Sequence, residues 1–89
     1  MHDSARLRLS LRLAPADTFG TLEWVMANAR RTGVRLDALQ WPAGAAALAE
    51  LAVSADDEGP LQLLLRRLEN GIDLDVLAAE FDSPIALAA

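Results

Sequence analysis

A strict alternation of apolar and polar residues lies near the start of the chain. Every second position from 5 to 13 is apolar, and the last four of these are leucines: Leu7, Leu9, Leu11 and Leu13. The intervening positions are polar and include three arginines: Arg6, Arg8 and Arg12. An extended backbone points successive side chains to opposite faces, so a period of two buries one face and leaves the other in water. We therefore predict a half-buried strand over residues 5–13.

The period changes at about residue 18, after a break made by Pro15 and Asp17. Apolar residues then recur three and four positions apart and form one helical stripe: Phe19, Leu22, Val25, Met26 and Ala29. Such a stripe is the buried face of an amphipathic helix. Gly33 is a typical helix stop, because glycine adopts the left-handed conformation that ends many helices. The pattern predicts a first helix from about residue 18 to the vicinity of Gly33.

A second strand is predicted over residues 34–41, but its alternation slips. Val34 and Leu36 would lie on one face of a regular strand, whereas Leu39 and Trp41 would lie on the other. Either an extra residue forms a bulge, or the strand is buried on both faces. The sequence leaves these two interpretations open.

The second half of the chain repeats the strand and helix signals. Pro42 and Gly44 predict a turn, residues 45–54 a third strand, and residues 74–81 a fourth. Between these strands Pro60 predicts a helix start, since proline suits the first helical position and the acidic run before it suits the positive end of the helix dipole. The predicted stripe and stop of this second helix are Leu61, Leu64, Leu65, Leu68 and Gly71.

The predicted element order is strand, helix, strand, strand, helix, strand. Two βαβ halves in tandem are typical of the ferredoxin-like α+β fold, in which both helices lie on one face of a four-stranded antiparallel sheet. We predict a single domain over residues 1–89, with its core in residues 5–82 and a short tail at 83–89. The other face of the sheet would carry some of four apolar residues, partly covered by a partner: Leu39, Trp41, Leu51 or Leu77.

Composition narrows the classes of function. The chain has 89 residues, of which 53% are hydrophobic, and its net charge is −5. So large an apolar fraction in one small core excludes disorder and favours association with another chain. The negative charge argues against nucleic acid, whose binders need clustered basic residues. No apolar run approaches the ~18 residues needed to cross a bilayer, so we expect no membrane contact and a cytoplasmic location.

The residues offer little for catalysis or metal binding. The chain has no Cys, which excludes thiolate zinc sites, and its one histidine is His2, close to a terminus. The acidic run Asp56, Asp57 and Glu58 is interpreted as the solvated start of a helix. We predict no catalytic residue and no metal site.

The loop that enters the first helix is the best candidate binding site. Gly20 lets a ligand approach the backbone, and the free N–H groups of a helix start can hold a carboxylate such as that of an amino acid. Asp17 would then pair with an ammonium group. In the alternative interpretation, Asp17 or Thr18 caps the helix and Gly20 relieves crowding. The residues alone leave both interpretations open.

The chain resembles the ACT-domain family over nearly its whole length. Residues 17–22 (Asp-Thr-Phe-Gly-Thr-Leu) resemble the polar residue, glycine and leucine that open the family's first helix; Thr32-Gly33-Val34 closes that helix, and Leu36-Asp37-Ala38-Leu39 follows it. Residues 68–76 look like the exit from the second helix into the last strand, where acetolactate synthase small subunits commonly carry Lys-Leu-Val-Asp-Val. The chain is similar to the short form of that subunit.

The resemblance implies a regulatory subunit of acetolactate synthase, an enzyme of branched-chain amino-acid biosynthesis, with no activity of its own. Such a subunit forms a homodimer through its ACT domains and activates or stabilises a catalytic large subunit. The large subunit holds thiamine diphosphate, magnesium and flavin, so this chain would bind no cofactor. Two alternatives remain: a free-standing ACT-type amino-acid sensor, and a structural interaction module for another partner.

The resemblance also implies where an effector would bind. In the family a branched-chain amino acid (valine, leucine or isoleucine) lies between two domains, against the first loop of one and the start of the second strand of the other. By position, the first group is Asp17, Thr18, Phe19, Gly20, Thr21 and Leu22, and the second is Arg35 and Leu36. The family often has asparagine where this chain has Asp17 and Arg35, which implies a weak response to valine.

Apolar side chains that lie outside the buried stripes of the two helices predict a surface for a partner protein. Trp24 lies about 200° around the first helix from Leu22, and Leu63 is off the stripe of the second helix. Because aromatic residues concentrate the free energy of association, we predict that Trp24 and Leu63 belong to a partner interface together with Leu39 and Trp41. In the alternative interpretation, Trp24 is a surface residue that lies along its neighbours.

Overall fold

The computed structural model of the protein describes residues 4–41 and 47–82. It confirms the predicted order of six elements: β1 (Ala5–Leu13), α1 (Thr18–Thr32), β2 (Arg35–Gln40), β3 (Leu48–Ala55), α2 (Glu58–Glu69) and β4 (Leu74–Asp82). The strands form one antiparallel sheet in the order β2-β3-β1-β4, and both helices pack against one face of it. The fold is therefore ferredoxin-like α+β, as the sequence predicts.

The core lies between the helices and the leucine face of β1. All four alternating leucines of β1 are buried, whereas the arginines between them are exposed. The other large side chains buried completely against them come from β3, α1 and α2: Val53, Val25, Leu61, Leu64 and Leu68. Each such aliphatic side chain contributes roughly 1.5–3 kcal/mol through burial, so this cluster is the main source of stability.

The start of α2 differs from the prediction by two residues. The helix begins at Glu58 rather than Pro60, because the Asp57 carboxylate caps it: Oδ1 accepts a hydrogen bond of 2.8 Å from the backbone N–H of Gly59. At the other end α2 stops at Glu69 with Asn70 as its cap, so Gly71 is not the stop. β3 begins at Leu48, and Ala47, also predicted to be strand, is a turn residue; positions 45 and 46 of the predicted strand lie outside the described residues. The predicted turn at Pro42 and Gly44 and the tail at 83–89 lie outside the described residues.

A bulge in β2 explains its slipped alternation. Leu36 pairs with Val53 and Leu39 pairs with Leu51, but the register shifts between Leu36 and Ala38, so Asp37 is the extra residue. The bulge turns both leucines towards the helix side of the sheet, since their partners Val53 and Leu51 are buried in the core. Of the two interpretations left open by the sequence, the bulge is therefore the one that the structure confirms.

The same register corrects the prediction for the open face of the sheet. Leu51 is buried in the core and Leu39 lies beside it, so the expectation that either lies on the open face is wrong. Leu77 is the extra residue at a second register shift, in β4, and is half-exposed. Trp41 follows the last residue of β2 and is exposed to a similar degree. Neither Leu39 nor Leu51 therefore adds apolar surface to the open face.

The open face carries rows of opposite charge. Acidic residues of β4 lie opposite arginines of β1 in the register: Asp82 opposite Arg6, Glu80 opposite Arg8, and Asp75 opposite Arg12. In the last pair Arg12 Nη1 lies 3.9 Å from Asp75 Oδ2, and both side chains are largely exposed. Exposed cross-strand pairs of this kind contribute little stability, but they keep the face polar.

Candidate functional site

The carboxylate of Asp17 caps the start of α1. Its Oδ1 accepts a hydrogen bond of 2.8 Å from the backbone N–H of Gly20. Its backbone carbonyl accepts from the backbone N–H of Thr21 at 3.1 Å and from the Thr21 hydroxyl at 2.8 Å. These three bonds tie the loop to the first turn of the helix. The structure thus bears out the capping interpretation of Asp17.

The cap also accounts for the glycine at position 20. A Cβ on Gly20 would lie 2.7 Å from Cγ and 2.8 Å from Oδ1 of Asp17, closer than real Cβ contacts come. Any other residue would therefore push the carboxylate away from the N–H group that it accepts from. The absence of a side chain at position 20 therefore serves the cap.

The remaining residues of the predicted first group differ in exposure. Thr21 is buried, Leu22 packs partly buried against the core, and Thr18 is half-exposed. Phe19 is 79% exposed, so the prediction that it extends the buried stripe is wrong. It lies before Thr21, the first buried residue of α1. An aromatic ring this exposed is available for contact with a ligand or another chain.

Arg35 and Leu36 lie at the far end of the sheet from Asp17. Asp17 follows the last residue of β1, whereas Arg35 pairs with Ser54, which pairs with Arg6 near the first residue of β1. The 15 residues of α1, roughly 22 Å of helix, separate the two ends. One chain therefore does not bring the two predicted groups together.

Arg35 is held by two side chains at its own end of the sheet. Its Nη1 donates to Asp56 Oδ1 and its Nη2 donates to Ser4 Oγ, both at 3.2 Å. It lines a broad concavity of about 840 Å³ over the open face, together with charged residues of β1, β2 and β4: Arg6, Arg8, Asp37, Glu80 and Asp82. The guanidinium is thus fixed in direction and still half-exposed.

A second concavity, of about 390 Å³, adjoins the capped turn of α1. We call it the Trp24 cleft. It lies between the start of α1 and the loop that joins α2 to β4, and its lining is Asp17, Gly20, Thr21, Trp24, Asn70, Gly71, Ile72, Asp73 and Leu74. No residue of the α2–β4 loop is among the predicted site residues. Ile72, an apolar residue between Gly71 and Asp73 that belongs to neither helix stripe, is the feature of the sequence that could have indicated a contact there.

Trp24 is held in place by the α2–β4 loop. A Cβ on Gly71 would lie 3.1 Å from both Cζ3 and Cη2 of the indole, so the ring lies against the bare backbone of this residue. The carbonyl of Trp24 accepts a hydrogen bond of 2.8 Å from Asn28 Nδ2, and Arg67 Nη1 donates to Asn28 Oδ1 at 3.3 Å. Trp24 is still 40% exposed, which confirms that the core stripe does not bury it.

Leu63, the other off-stripe residue, is exposed to the same 40% on α2. Its position outside the buried face is confirmed, and its role in an interface stays a prediction. Among residues 4–41 and 47–82, no three His, Asp or Glu side chains converge as metal ligands would. No helix in the described part of the chain has the length and apolar character needed to cross a membrane.

Comparison with known proteins adds no relative. No protein-family model matches the chain, and no curated protein matches it in sequence. A functional proposal therefore rests on the fold, on the geometry of the first loop and β2, and on the resemblance of residues 17–22 and 68–76 to the ACT pattern.

Proposed function

We propose that the protein is a non-catalytic regulatory subunit of acetolactate synthase. In this proposal it forms a homodimer, binds the cytoplasmic large subunit, and activates or stabilises it, with a branched-chain amino acid as the candidate effector. The observation that carries the proposal is the edge of the sheet at β2, which is free among the described residues. The first loop lies near the end of this strand, opposite Arg35 at its start.

The edge strand β2 offers a surface for a second copy. β2 pairs with β3 on one side, and all six of its residues are exposed. Such an edge presents unpaired N–H and C=O groups that readily pair with another chain. Leu36 and Leu39 lie along the helix side of this edge and are exposed, although their partners in β3 are buried. Pairing of two β2 edges would remove both leucines from water.

Antiparallel pairing of two β2 strands would also complete the predicted effector site. β1 and β2 are both antiparallel to β3, so they run in the same direction. In one chain the first loop, which includes Asp17, is therefore near the end of β2, and Arg35 is at its start. A two-fold axis through the paired edges places the start of one β2 beside the end of the other. Arg35 of one copy would then approach the first loop of its partner.

One register of this pairing suits the side chains particularly well. With the two-fold axis between Asp37 and Ala38, Leu36 lies opposite Leu39 of the partner, and Arg35 lies opposite Gln40 of the partner. A shift by one residue that centres the axis on Asp37 would set two carboxylates against each other, which costs free energy. The charges of the edge therefore favour the register that joins the leucines.

The dimer is tested by sedimentation velocity of the wild-type chain and two variants. We expect a dimer for the wild type and a monomer for Leu39→Glu, because the carboxylate would be buried in the paired edge. Leu77→Glu is the matched control, since Leu77 is a leucine of similar exposure on the other edge strand, β4. A monomeric wild type, or equal behaviour of the two variants, would contradict pairing through β2.

The enzyme assignment is tested with the thiamine-diphosphate-dependent large subunit of the same cell. We expect the two chains to co-purify and acetolactate formation to rise when this chain is added. Titration with valine, leucine and isoleucine shows whether the site responds, and Arg35→Ala should weaken a response without preventing co-purification. Absence of a complex together with an unchanged rate would overturn the assignment, whether or not the chain is a dimer.

A further inference from the structure

The Trp24 cleft has the apolar character of a contact site for another protein. Ile72 is 97% exposed, although an isoleucine has no polar atom in its side chain to favour that position. It lines the same cleft as the half-exposed ring of Trp24. Phe19, which is also exposed, directly precedes Gly20, another residue of the cleft lining. Exposed apolar residues gathered around one concavity mark sites of association, and Trp is among the residues that contribute most to such sites.

The charge of the cleft is negative. Asp17 and Asp73 are the charged residues of the described lining, and no arginine is among the described residues that line it. Asp17 Oδ1 accepts the cap bond, and Oδ2 makes no hydrogen bond within the described residues and lies against Gly20, which also lines the cleft. Within residues 4–41 and 47–82, Asp73 makes no hydrogen bond or ion pair. In the described lining, a ligand that enters this cleft therefore meets carboxylates and an indole ring, and no positive side chain that could hold an anion.

We propose that the Trp24 cleft binds an arginine side chain that projects, next to an apolar residue, from a segment of a partner protein. The planar guanidinium stacks on aromatic rings and forms paired hydrogen bonds with carboxylates, so it can use Trp24 and either aspartate at once. The neighbouring apolar side chain would cover Ile72. This inference does not depend on the acetolactate synthase proposal, because any partner with such a segment would satisfy the chemistry.

The size and position of the cleft fit this occupant. Its volume of about 390 Å³ is enough for one long side chain and part of a second. Gly71 contributes to the site, because its bare backbone lets the Trp24 ring lie close to the loop. The cap bond of Asp17 fixes one carboxylate, so that part of the site needs no rearrangement on binding.

The test is a titration of the full chain with a short peptide, followed by NMR. The probe is acetyl-Ala-Leu-Arg-Leu-Ala-amide, and the matched peptide carries citrulline in place of arginine, which keeps the shape and removes the charge. We expect a dissociation constant of about 1 mM for the arginine peptide and shifts of the Trp24 indole and of the Gly71 and Asp73 amides. The citrulline peptide should bind about threefold to fivefold more weakly.

Three variants test the carboxylates and the apolar contact. Asp17→Asn keeps an oxygen for the cap but removes the charge, and Asp73→Asn removes the other; each should weaken binding of the arginine peptide about threefold. Asp57→Asn is the matched control, because it makes the same change at the cap of α2, outside the cleft, and should leave binding unchanged. Ile72→Ser should weaken the arginine and citrulline peptides equally.

The outcomes separate the proposal from its competitors. Shifts confined to the cleft, with weaker binding by citrulline and by the two cleft variants, support it. Equal binding of the two peptides would overturn the proposal that the cleft recognises an arginine, and would leave an apolar contact alone. Shifts on the open face, loss in Asp57→Asn equal to that in Asp17→Asn, or no shift at about 10 mM peptide would overturn the site itself.

Discussion

The Asp17 cap makes a quantitative prediction about the glycine three residues later. If Gly20 is glycine because a Cβ would displace the Asp17 carboxylate, the effect of Gly20→Ala must depend on whether that carboxylate is present. The two substitutions, Asp17→Ala and Gly20→Ala, therefore form a double-mutant cycle. The cycle measures the contact directly, without a ligand or a partner.

The magnitudes follow from the geometry. Asp17→Ala removes the cap and should lower the free energy of unfolding by about 1 kcal/mol. Gly20→Ala loses the same bond, but alanine favours the helix over glycine by up to ~1 kcal/mol, so the net change should be within about 0.5 kcal/mol of zero. With Asp17 already replaced there is no cap bond to lose, so Gly20→Ala adds only the helix propensity of alanine. It should then raise the free energy of unfolding by roughly 0.5–1 kcal/mol. The expected coupling is about 1 kcal/mol.

Urea unfolding followed by circular dichroism measures all four proteins, at one protein concentration because the stability of a dimer depends on it. Gly59→Ala is the matched control: its Cβ would lie 3.1 Å from Asp57 Oδ1, a distance that a small shift relieves. It should therefore stabilise the otherwise unchanged protein. Equal stabilisation by Gly20→Ala with and without Asp17 would refute the argument, because the carboxylate would then not be what excludes a Cβ.

Three further predictions concern the fold and are checked by the same unfolding measurement. Leu64→Ala, in the core, should cost about 2–5 kcal/mol, whereas Leu63→Ala, one residue away and 40% exposed, should cost less than about 1 kcal/mol. Gly33→Ala should cost about 1 kcal/mol because of its φ of 85° alone, since no atom lies within 4 Å of the added Cβ. Asp75→Asn should change stability by less than about 0.5 kcal/mol, because its pair with Arg12 is exposed and 3.9 Å long, and salt should remove even this effect.

Much of the fold follows from local periods in the sequence. The alternation in residues 5–13 predicts β1 with its observed bounds, and the helical spacing after residue 18 predicts α1. Gly33 ends α1 in the left-handed conformation, as predicted from its residue type. These features depend on neighbours within one element, so a single sequence contains the information for them.

Features that depend on contacts between distant segments could not be predicted in this way. The alternation of β2 is compatible with a bulge or with two-sided burial, and only pairing with β3 decides for the bulge at Asp37. Ser54 is buried and its hydroxyl donates to Asp37 Oδ1 at 3.1 Å, a contact between different strands. The Trp24 cleft likewise needs Gly71, from the other half of the chain. Apolar spacing shows that Trp24 is outside the core but not what lies against it.

The two proposed surfaces share the first loop and otherwise lie at different borders of the sheet. In the strand order β2-β3-β1-β4, the β2 edge is one border, and the loop that leads into β4 lines the cleft at the other. In a dimer joined through β2, Arg35 would approach the first loop of its partner, and the part of the cleft made by Ile72 and Asp73 would stay open. The two-fold axis would present two such clefts. A partner that is itself a dimer could then engage both at once, and weak binding at each cleft would be strengthened by the second contact. Under this arrangement Leu39→Glu, which separates the copies, should weaken capture of a dimeric partner even though the cleft in each chain is unchanged.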